Sequence, residues 1–320
     1  MRVLVLGGAG AMGHVAAQVL AASGAVQEVI IGDLDVRRAE SVAQALGPKV
    51  TGRGVDVTDS CELGAALRKC DLVVNAVGPF FRFGASILSA AVDAACDYVD
   101  ICDDWEPTLE MLALDDRART AGVTALVGMG ASPGVSNLLA VIAGRELDTV
   151  DSVATGWSMT VAAQPTASHA SQPGAAIEHG MRQLSGTIRI LQDGQFAERP
   201  ALEKVVVDYP GIGRFQGRTF GHPEAVTLQR AFPGLRDNIN ITVGDRMTCA
   251  ALSVLRFGIN RRILTPRRAA RIAAFTDTRH RAVSPTSSEP LAHRPCSPWP
   301  AVSATAGRLH RRPHWRRFPA

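Results

Sequence analysis

Residues 3–13 read VLVLGGAGAMG, an apolar run that ends in glycines and continues as a helix-forming stretch. The glycines have the G-x-G-x-x-G spacing of a turn between the first strand and first helix of a dinucleotide-binding unit. There the first glycine permits a tight turn, the second lets the backbone approach a diphosphate, and the third lets the helix pack on its strand. The helix N-terminus then holds the phosphates. The predicted phosphate-binding residues are Gly8, Gly10, Ala11, Met12 and Gly13.

The residues that follow support this interpretation. Residues 28–33 read as a second buried strand, and Asp33 follows Gly13 by 20 residues. A carboxylate at that distance is placed to bind the adenosine ribose of NAD. Arg37 and Arg38 lie just beyond it and could instead accept the 2′-phosphate of NADP. Asp33 therefore favours NAD, and the two arginines leave NADP open.

Further strands and helices alternate along the next hundred residues. The patterns predict helices at 37–46, 59–70, 83–95 and 106–121, and strands at 49–57, 72–75, 97–100 and 123–127. Alternation at this spacing is typical of a doubly wound parallel sheet. We therefore predict an α/β, Rossmann-type NAD(P)-binding domain over residues 1–148.

The pattern changes after this domain. Strands are predicted at 152–161 and 204–207 and a helix at 174–185, which favours a smaller α+β domain over residues 149–260. Residues 261–320 contain 13 arginines, no lysine, two acidic residues and eight of the 18 prolines. Such a composition predicts a disordered tail.

Charge and composition narrow the possible partners. The whole chain has a net charge of +4, which combines a basic tail with an acidic body. The tail arginines could contact nucleic acid, but nothing beside them resembles a folded reader of bases, so nucleic acid is not the expected partner. No apolar run of 18 residues occurs, no secretory leader is expected from the first residues, and the six cysteines form no C-x-x-C pair. These features predict a cytoplasmic protein with no membrane span and no metal site.

Two further groups could contact the cofactor. Asn75, Ala76, Gly78 and Pro79 follow the fourth strand, at the carboxyl edge where open α/β sheets hold ligands. They could position the nicotinamide ribose, although an ordinary Gly-Pro turn gives the same pattern. Asp56 follows the third strand and could contact adenine, or it could be a solvent-facing acid.

Acidic residues cluster after the fifth strand. Asp100, Asp103 and Asp104 lie close together in sequence, and neighbouring carboxylates raise one another's pKa. Such a group suits general acid or base chemistry. The alternative is a solvated cluster at the start of the next helix, which fits Asp103 and Asp104 better. Asp100, at the strand end, is the predicted catalytic residue.

Substrate contacts are predicted in two places. Ser132 and Asn137 flank a glycine turn at a helix start, where they could bind substrate oxygen atoms. His179 and Arg182 are one helical turn apart and could bind a substrate carboxylate. A surface helix produces the same spacing by chance.

Several motifs together resemble the saccharopine dehydrogenase-like family of NAD(P)-dependent oxidoreductases. They are GGAGAMG (7–13), NAVGPF (75–80), DYVDICDD (97–104), GMGASPGVSNLLA (128–140) and, more loosely, HGMRQLSGTIRILQDGQ (179–195). The resemblance implies a Rossmann domain followed by an α+β domain that contacts substrate and forms a homodimer surface. It also implies hydride transfer between NAD(P)H and a C–N bond, in an imine or secondary amine, of a small amino-acid-like substrate.

The sequence departs from that family in two respects. Members that form saccharopine resemble G-x-D-P-G near the substrate, whereas Ser132 precedes Pro133 and Gly134 here. The C-terminal segment that usually returns to the nucleotide-binding domain is not recognisable in 261–320, so the α+β domain is expected to be truncated. The alternative hypothesis is therefore an NAD(P)-binding protein without activity.

Overall fold

The structure is a computed structural model that describes residues 1–158, 180–209, 213–243, 246–273 and 303–306. The chain forms two compact units, residues 1–134 and 135–320. The division therefore lies 14 residues before the predicted domain end at 148.

The first unit is built on a six-stranded sheet with the strand order β3-β2-β1-β4-β5-β6. Every neighbouring pair of these strands is parallel. The strands are β1 (Arg2–Leu6), β2 (Glu28–Asp33), β3 (Val50–Gly54), β4 (Leu72–Asn75), β5 (Asp97–Asp100) and β6 (Ala125–Leu126). The helices are α1 (Ala11–Ala22), α2 (Val36–Leu46), α3 (Ser60–Leu67), α4 (Phe80–Asp93), α5 (Trp105–Leu112) and α6 (Asp115–Ala121). This strand order is that of the Rossmann fold, so the predicted fold class is confirmed.

Alternating side chains of β1 supply the cores on both faces of this sheet. Leu4 and Leu6 join one cluster, which includes Leu67 of α3 and Leu88 of α4. Val3 and Val5 join the other cluster, with the buried alanines of α1 and α2. Because β1 is buried on both faces, its sequence is apolar throughout rather than alternating.

The helix predicted over 106–121 is two helices in the structure. α5 ends at Leu112 and α6 begins at Asp115. Asp115 and Asp116 lie in the first turn of α6. Their negative charges favour a helix N-terminus, which explains why a new helix starts there.

The second unit contains a seven-stranded mixed sheet. Along its main path the order is β10-β11-β12-β7-β13, and β8 pairs with β12 and with β9. The strands are β7 (Ser152–Ser158), β8 (Thr187–Gln192), β9 (Gln195–Pro200), β10 (Lys204–Tyr209), β11 (Gly213–Thr219), β12 (Asp237–Val243) and β13 (Ser303–Ala306). Its helices include α7 (Val135–Gly144), a short helix at Glu224–Thr227 and a longer one at Arg246–Asn260. The second unit therefore contains both helices and strands, which confirms the predicted α+β class.

Two segments of the predicted tail, residues 261–320, form regular elements in the structure. Residues 266–273 are helical, and Ala269 and Ala270 are fully buried in an apolar cluster with Phe220. Residues 303–306 form β13, which pairs antiparallel with β7. In the helix, the small side chains of Ala269 and Ala270 are what pack into the cluster. Residues 274–302 and 307–320 of the tail lie outside the described residues.

Within the described parts of the chain, no helix is both long and apolar enough to cross a membrane. The same residues contain no cluster of three or more His, Cys, Asp or Glu side chains arranged to hold a metal ion.

Candidate functional site

The loop between β1 and α1 forms the centre of the candidate site. Gly10 is the N-cap residue of α1, with φ −77° and ψ 168°, and makes no side-chain cap hydrogen bond. The first N–H groups of a helix have no partner within the helix. The start of α1 therefore presents backbone donors, together with the positive end of the helix dipole, at the carboxyl edge of the sheet.

The three motif glycines differ in what a side chain would meet. A Cβ on Gly13 would lie 2.2 Å from the carbonyl oxygen of Gly7, and one on Gly8 would lie 2.8 Å from Ile31 Cγ2. A Cβ on Gly10 would meet one atom within 4 Å, Gly7 O at 3.1 Å. Gly8 and Gly13 are therefore required by packing, whereas the space beside Gly10 is largely open. A ligand phosphate can approach the backbone there, so the residues present fit a bound diphosphate.

Asp33 lies beside this loop, and its contact with the adenosine ribose stays a prediction. Its Oδ2 accepts a hydrogen bond from the backbone N–H of Ala9 at 3.2 Å, and its Oδ1 accepts one from Asp35 N–H at 3.2 Å. The side chain is partly exposed. Its carboxylate is thus held at the end of β2, next to the phosphate loop. Arg37 and Arg38 are exposed in the first turn of α2, so the arrangement leaves room for NADP as well.

Asp56 lies two residues beyond the end of β3 and is partly exposed. It accepts hydrogen bonds from the Thr58 hydroxyl at 2.6 Å and from the Thr58 N–H at 2.8 Å. These bonds lower the pKa of the Asp56 carboxyl. The carboxylate is therefore charged near neutral pH and organises its own turn, and its contact with adenine stays a prediction.

The segment after β4 is held against the phosphate loop. Ala76 N–H donates to Leu6 O at 2.9 Å, and a Cβ on Gly7 would lie 3.0 Å from Ala76 O. Gly78 is exposed, and Pro79 is the N-cap residue of α4. The backbone of this segment is therefore placed to meet a bound dinucleotide.

The role predicted for the Asn75 side chain is corrected. Asn75 is fully buried. Its Nδ2 donates to the Tyr98 hydroxyl at 3.0 Å, and its Oδ1 accepts from Val77 N–H at 3.0 Å. Both ends of the amide are used inside the protein, so the side chain organises the site from below and does not meet the ribose.

The catalytic role predicted for Asp100 is corrected for the same reason. Its exposed fraction is 0%. Its Oδ1 accepts from the N–H groups of Cys102 at 3.0 Å and Gly128 at 2.7 Å, and its Oδ2 accepts from the Tyr98 hydroxyl at 2.8 Å. Burial raises the pKa of the Asp100 carboxyl, and these hydrogen bonds partly oppose that effect. A carboxylate enclosed in this way does not reach a substrate.

The predicted substrate residues fall in both units, and one of them lies outside the described residues. Ser132 is partly buried in the turn that ends the first unit, and Asn137 lies in α7 of the second unit. Asn137 Nδ2 donates to the Thr227 hydroxyl at 3.0 Å. Arg182 is exposed, and His179 lies outside the described residues. The contacts predicted between these residues and a substrate therefore stay a prediction.

A buried polar cluster in the second unit was not predicted. The Ser136 hydroxyl donates to the carboxylate of Glu224, which is fully buried, and His222 Nδ1 lies 3.7 Å from Glu224 Oε2. Asn238 Nδ2 donates to Glu224 O at 2.6 Å, and Asn240 Oδ1 accepts from Ala225 N–H at 3.0 Å. The signal in the sequence was the His222-Pro-Glu224 turn after β11, followed by alternate asparagines in β12.

Comparison with known proteins agrees with this architecture. Residues 3–126 match the family model described as "Saccharopine dehydrogenase NADP binding domain". This chain is similar to that domain over these residues, and the match confirms the resemblance and the NAD(P) cofactor class predicted from the sequence. The apo saccharopine dehydrogenase (L-Glu forming) of Saccharomyces cerevisiae superposes with a TM-score of 0.56 at 18% identity. The match covers 79% of this chain and 57% of that chain, which shows a shared fold.

Two curated relatives align over most of this chain. The carboxynorspermidine synthase of Vibrio cholerae is 24% identical over 268 residues, covering 75% of this chain and 62% of that protein. The carboxyaminopropylagmatine dehydrogenase of Synechocystis is 24% identical over 253 residues, covering 74% and 61%. The chain thus spans about three-fifths of the length of these relatives.

Proposed function

We propose that this chain, whose residues 3–126 are similar to a saccharopine dehydrogenase NADP binding domain, is an NAD(P)-dependent oxidoreductase. It transfers hydride between NAD(P)H and the C–N bond of a small substrate that carries an amine and a carboxylate. The observation that carries this proposal is the open space at Gly10, at the N-terminus of α1 and between two glycines that packing requires.

The substrate class rests on the relatives. The names carboxynorspermidine synthase and carboxyaminopropylagmatine dehydrogenase describe proteins that handle carboxylated amines. An amine joined to an aldehyde forms an imine. In the reductive direction the imine carbon gains a hydride and the nitrogen gains a proton, which gives a secondary amine and oxidised cofactor. The assay described below identifies the amine and the direction of the reaction.

Different residues of the first unit bind different parts of the cofactor. The N–H groups at the start of α1 bind the diphosphate, and Asp33 accepts from the adenosine ribose, which favours NAD. Ala76, Gly78 and Pro79 border the nicotinamide end. Since Asp100 is enclosed, we infer that the proton is exchanged with water rather than with that carboxyl. Catalysis then comes mainly from holding the reacting carbons within about 3.5 Å of each other.

The relevant assay uses the full chain with NADH or NADPH and pairs of aldehydes and amines, one of which carries a carboxylate. The proposal predicts loss of nicotinamide absorbance that requires both partners, with a secondary amine identified by mass spectrometry. Saturable cofactor binding without turnover of any pair would contradict the activity while leaving the binding domain intact.

That second result would favour the alternative, an NAD(P)-binding protein without activity. The observation behind this alternative is Ser132. It stands at the position of the aspartate in the G-x-D-P-G pattern that saccharopine-forming members resemble. A homodimer, which the family resemblance implies, also stays a proposal, and light scattering of the native protein would test it.

A further inference from the structure

Three fully buried polar side chains form a continuous hydrogen-bonded chain at the ends of β4 and β5. Asn75 Nδ2 donates to the Tyr98 hydroxyl at 3.0 Å, and that hydroxyl donates to Asp100 Oδ2 at 2.8 Å. All three have an exposed fraction of 0%. The phenol oxygen therefore joins the last residues of two neighbouring strands, which the sheet register pairs as Asn75 with Asp100.

Each end of this chain holds a loop by its backbone. On one side Asn75 Oδ1 accepts from Val77 N–H at 3.0 Å. On the other side Asp100 Oδ1 accepts from Gly128 N–H at 2.7 Å, and Asp100 O accepts from Met129 N–H at 2.7 Å. The network therefore fixes the position of the loop after β4 relative to the loop after β6.

The network lies under one half of the expected cofactor site. In a doubly wound sheet, a dinucleotide lies across the carboxyl ends of the strands, with one mononucleotide on each side of the point where the strand order reverses. Here β1, β2 and β3 form the half that carries Asp33, and β4, β5 and β6 form the half that carries the network. The phosphate loop touches the second half directly, since a Cβ on Gly7 would lie 3.2 Å from Val77 N.

Packing alone gives no reason for such a network. Buried polar groups cost free energy unless all are satisfied, and apolar side chains of similar volume often serve a core equally well. Satisfied networks instead fix one geometry. Here the fixed geometry is that of two loops at a ligand-binding edge.

We propose that Asn75, Tyr98 and Asp100 form a positioning network that fixes the loops after β4 and β6 to receive the nicotinamide mononucleotide half of the cofactor. The adenine half does not depend on it. This inference rests on the proposed function, because it takes the NAD(P) cofactor as the ligand. It adds that the network organises the nicotinamide half of the cofactor site. None of the three side chains touches the cofactor.

The test compares a whole dinucleotide with its adenine half. The full chain, Tyr98→Phe and the control Ile87→Val are titrated with NADH, NADPH and AMP. Tyr98→Phe removes one hydroxyl and keeps the ring. Ile87→Val trims a fully buried side chain in the apolar cluster that also contains Tyr98, and it removes no hydrogen bond. For Tyr98→Phe, we expect the dinucleotide affinity to be at least fivefold weaker and the AMP affinity to change less than twofold. For Ile87→Val, we expect no change in the ratio of dinucleotide affinity to AMP affinity.

Asp100→Asn gives a second variant with nearly the same shape and is expected to change the ratio in the same direction. A Tyr98→Phe protein that loses affinity for AMP and dinucleotide by the same factor would show a purely structural role and overturn the proposal, as would unchanged affinity for both. If the unmodified chain binds no dinucleotide, the proposed function fails and the network proposal falls with it. Normal binding with an unchanged ratio overturns the network proposal alone.

Discussion

Replacement of Gly10 by alanine separates the fold from the binding of the cofactor. The backbone of Gly10 has φ −77° and ψ 168°, which any residue adopts, and its added Cβ would meet only Gly7 O, at 3.1 Å, within 4 Å. The gain from a less flexible unfolded chain is about 0.4–1 kcal/mol. This gain roughly offsets the close contact, so the free energy of unfolding should change by less than about 1 kcal/mol.

The same methyl group occupies the space through which a phosphate reaches the start of α1. A hydrogen bond to a charged group contributes about 1.5–3 kcal/mol. Loss of one such bond would weaken dinucleotide affinity roughly 10-fold to 150-fold, since each 1.4 kcal/mol corresponds to about a factor of ten. Calorimetric titration with NADH and NADPH measures this change directly, and denaturant unfolding of the same sample measures stability.

Two other glycines provide matched controls. A Cβ on Gly24 would meet nothing within 4 Å, so Gly24→Ala should leave binding unchanged and raise the free energy of unfolding by about 0.4–1 kcal/mol. A Cβ on Gly13 would lie 2.2 Å from Gly7 O, so Gly13→Ala should destabilise the domain by about 1–3 kcal/mol or more. The reasoning would be refuted by a folded Gly10→Ala protein that binds both dinucleotides as tightly as the unmodified chain does.

Three more predictions concern specificity, thiol reactivity and pH. Asp33→Ser removes a negative charge beside the phosphate loop, where we propose that the adenosine ribose binds. The affinity for NADPH relative to NADH should therefore rise about tenfold, and an unchanged ratio would place the 2′-hydroxyl elsewhere. Burial raises the pKa of Cys96 to about 12 and raises that of Cys102 as well. Iodoacetamide labelling of the folded protein should therefore modify the exposed Cys61 and spare both buried thiols until the chain unfolds, whereas equal labelling would contradict their burial. Burial also raises the pKa of Asp100 above its ordinary 3.8, so its contribution to stability is present below that value and lost as the pH rises through the raised one. The unfolding free energy of the unmodified chain minus that of Asp100→Asn should fall from about pH 4 towards neutrality, and a rising difference would show that the hydrogen bonds dominate.

Local sequence determined much of the first unit. The glycine spacing located the turn between β1 and α1, and the alternation of strands and helices predicted the parallel sheet. Asp33 lies at the end of β2, beside the phosphate loop, because its distance from Gly13 along the chain reflects one strand-helix-strand unit. These features depend on residues close to one another in sequence.

The corrected features depend on contacts that sequence spacing does not report. Asn75 and Asp100 were correctly placed at strand ends, but no spacing indicated that Tyr98 lies between their side chains and encloses them. The cluster of Ser136 and Glu224 joins residues 88 positions apart. The pairing of β13 with β7 spans a still longer separation, so composition alone predicted disorder there.

The most direct test of the account is calorimetric titration of the unmodified full chain with NADH and NADPH, beside Gly10→Ala. The account predicts saturable binding of one dinucleotide per chain, with a Kd below about 1 mM, and much weaker binding by the variant. Absence of binding by the unmodified chain, or equal binding by both proteins, would contradict the claim that the start of α1 holds a dinucleotide phosphate.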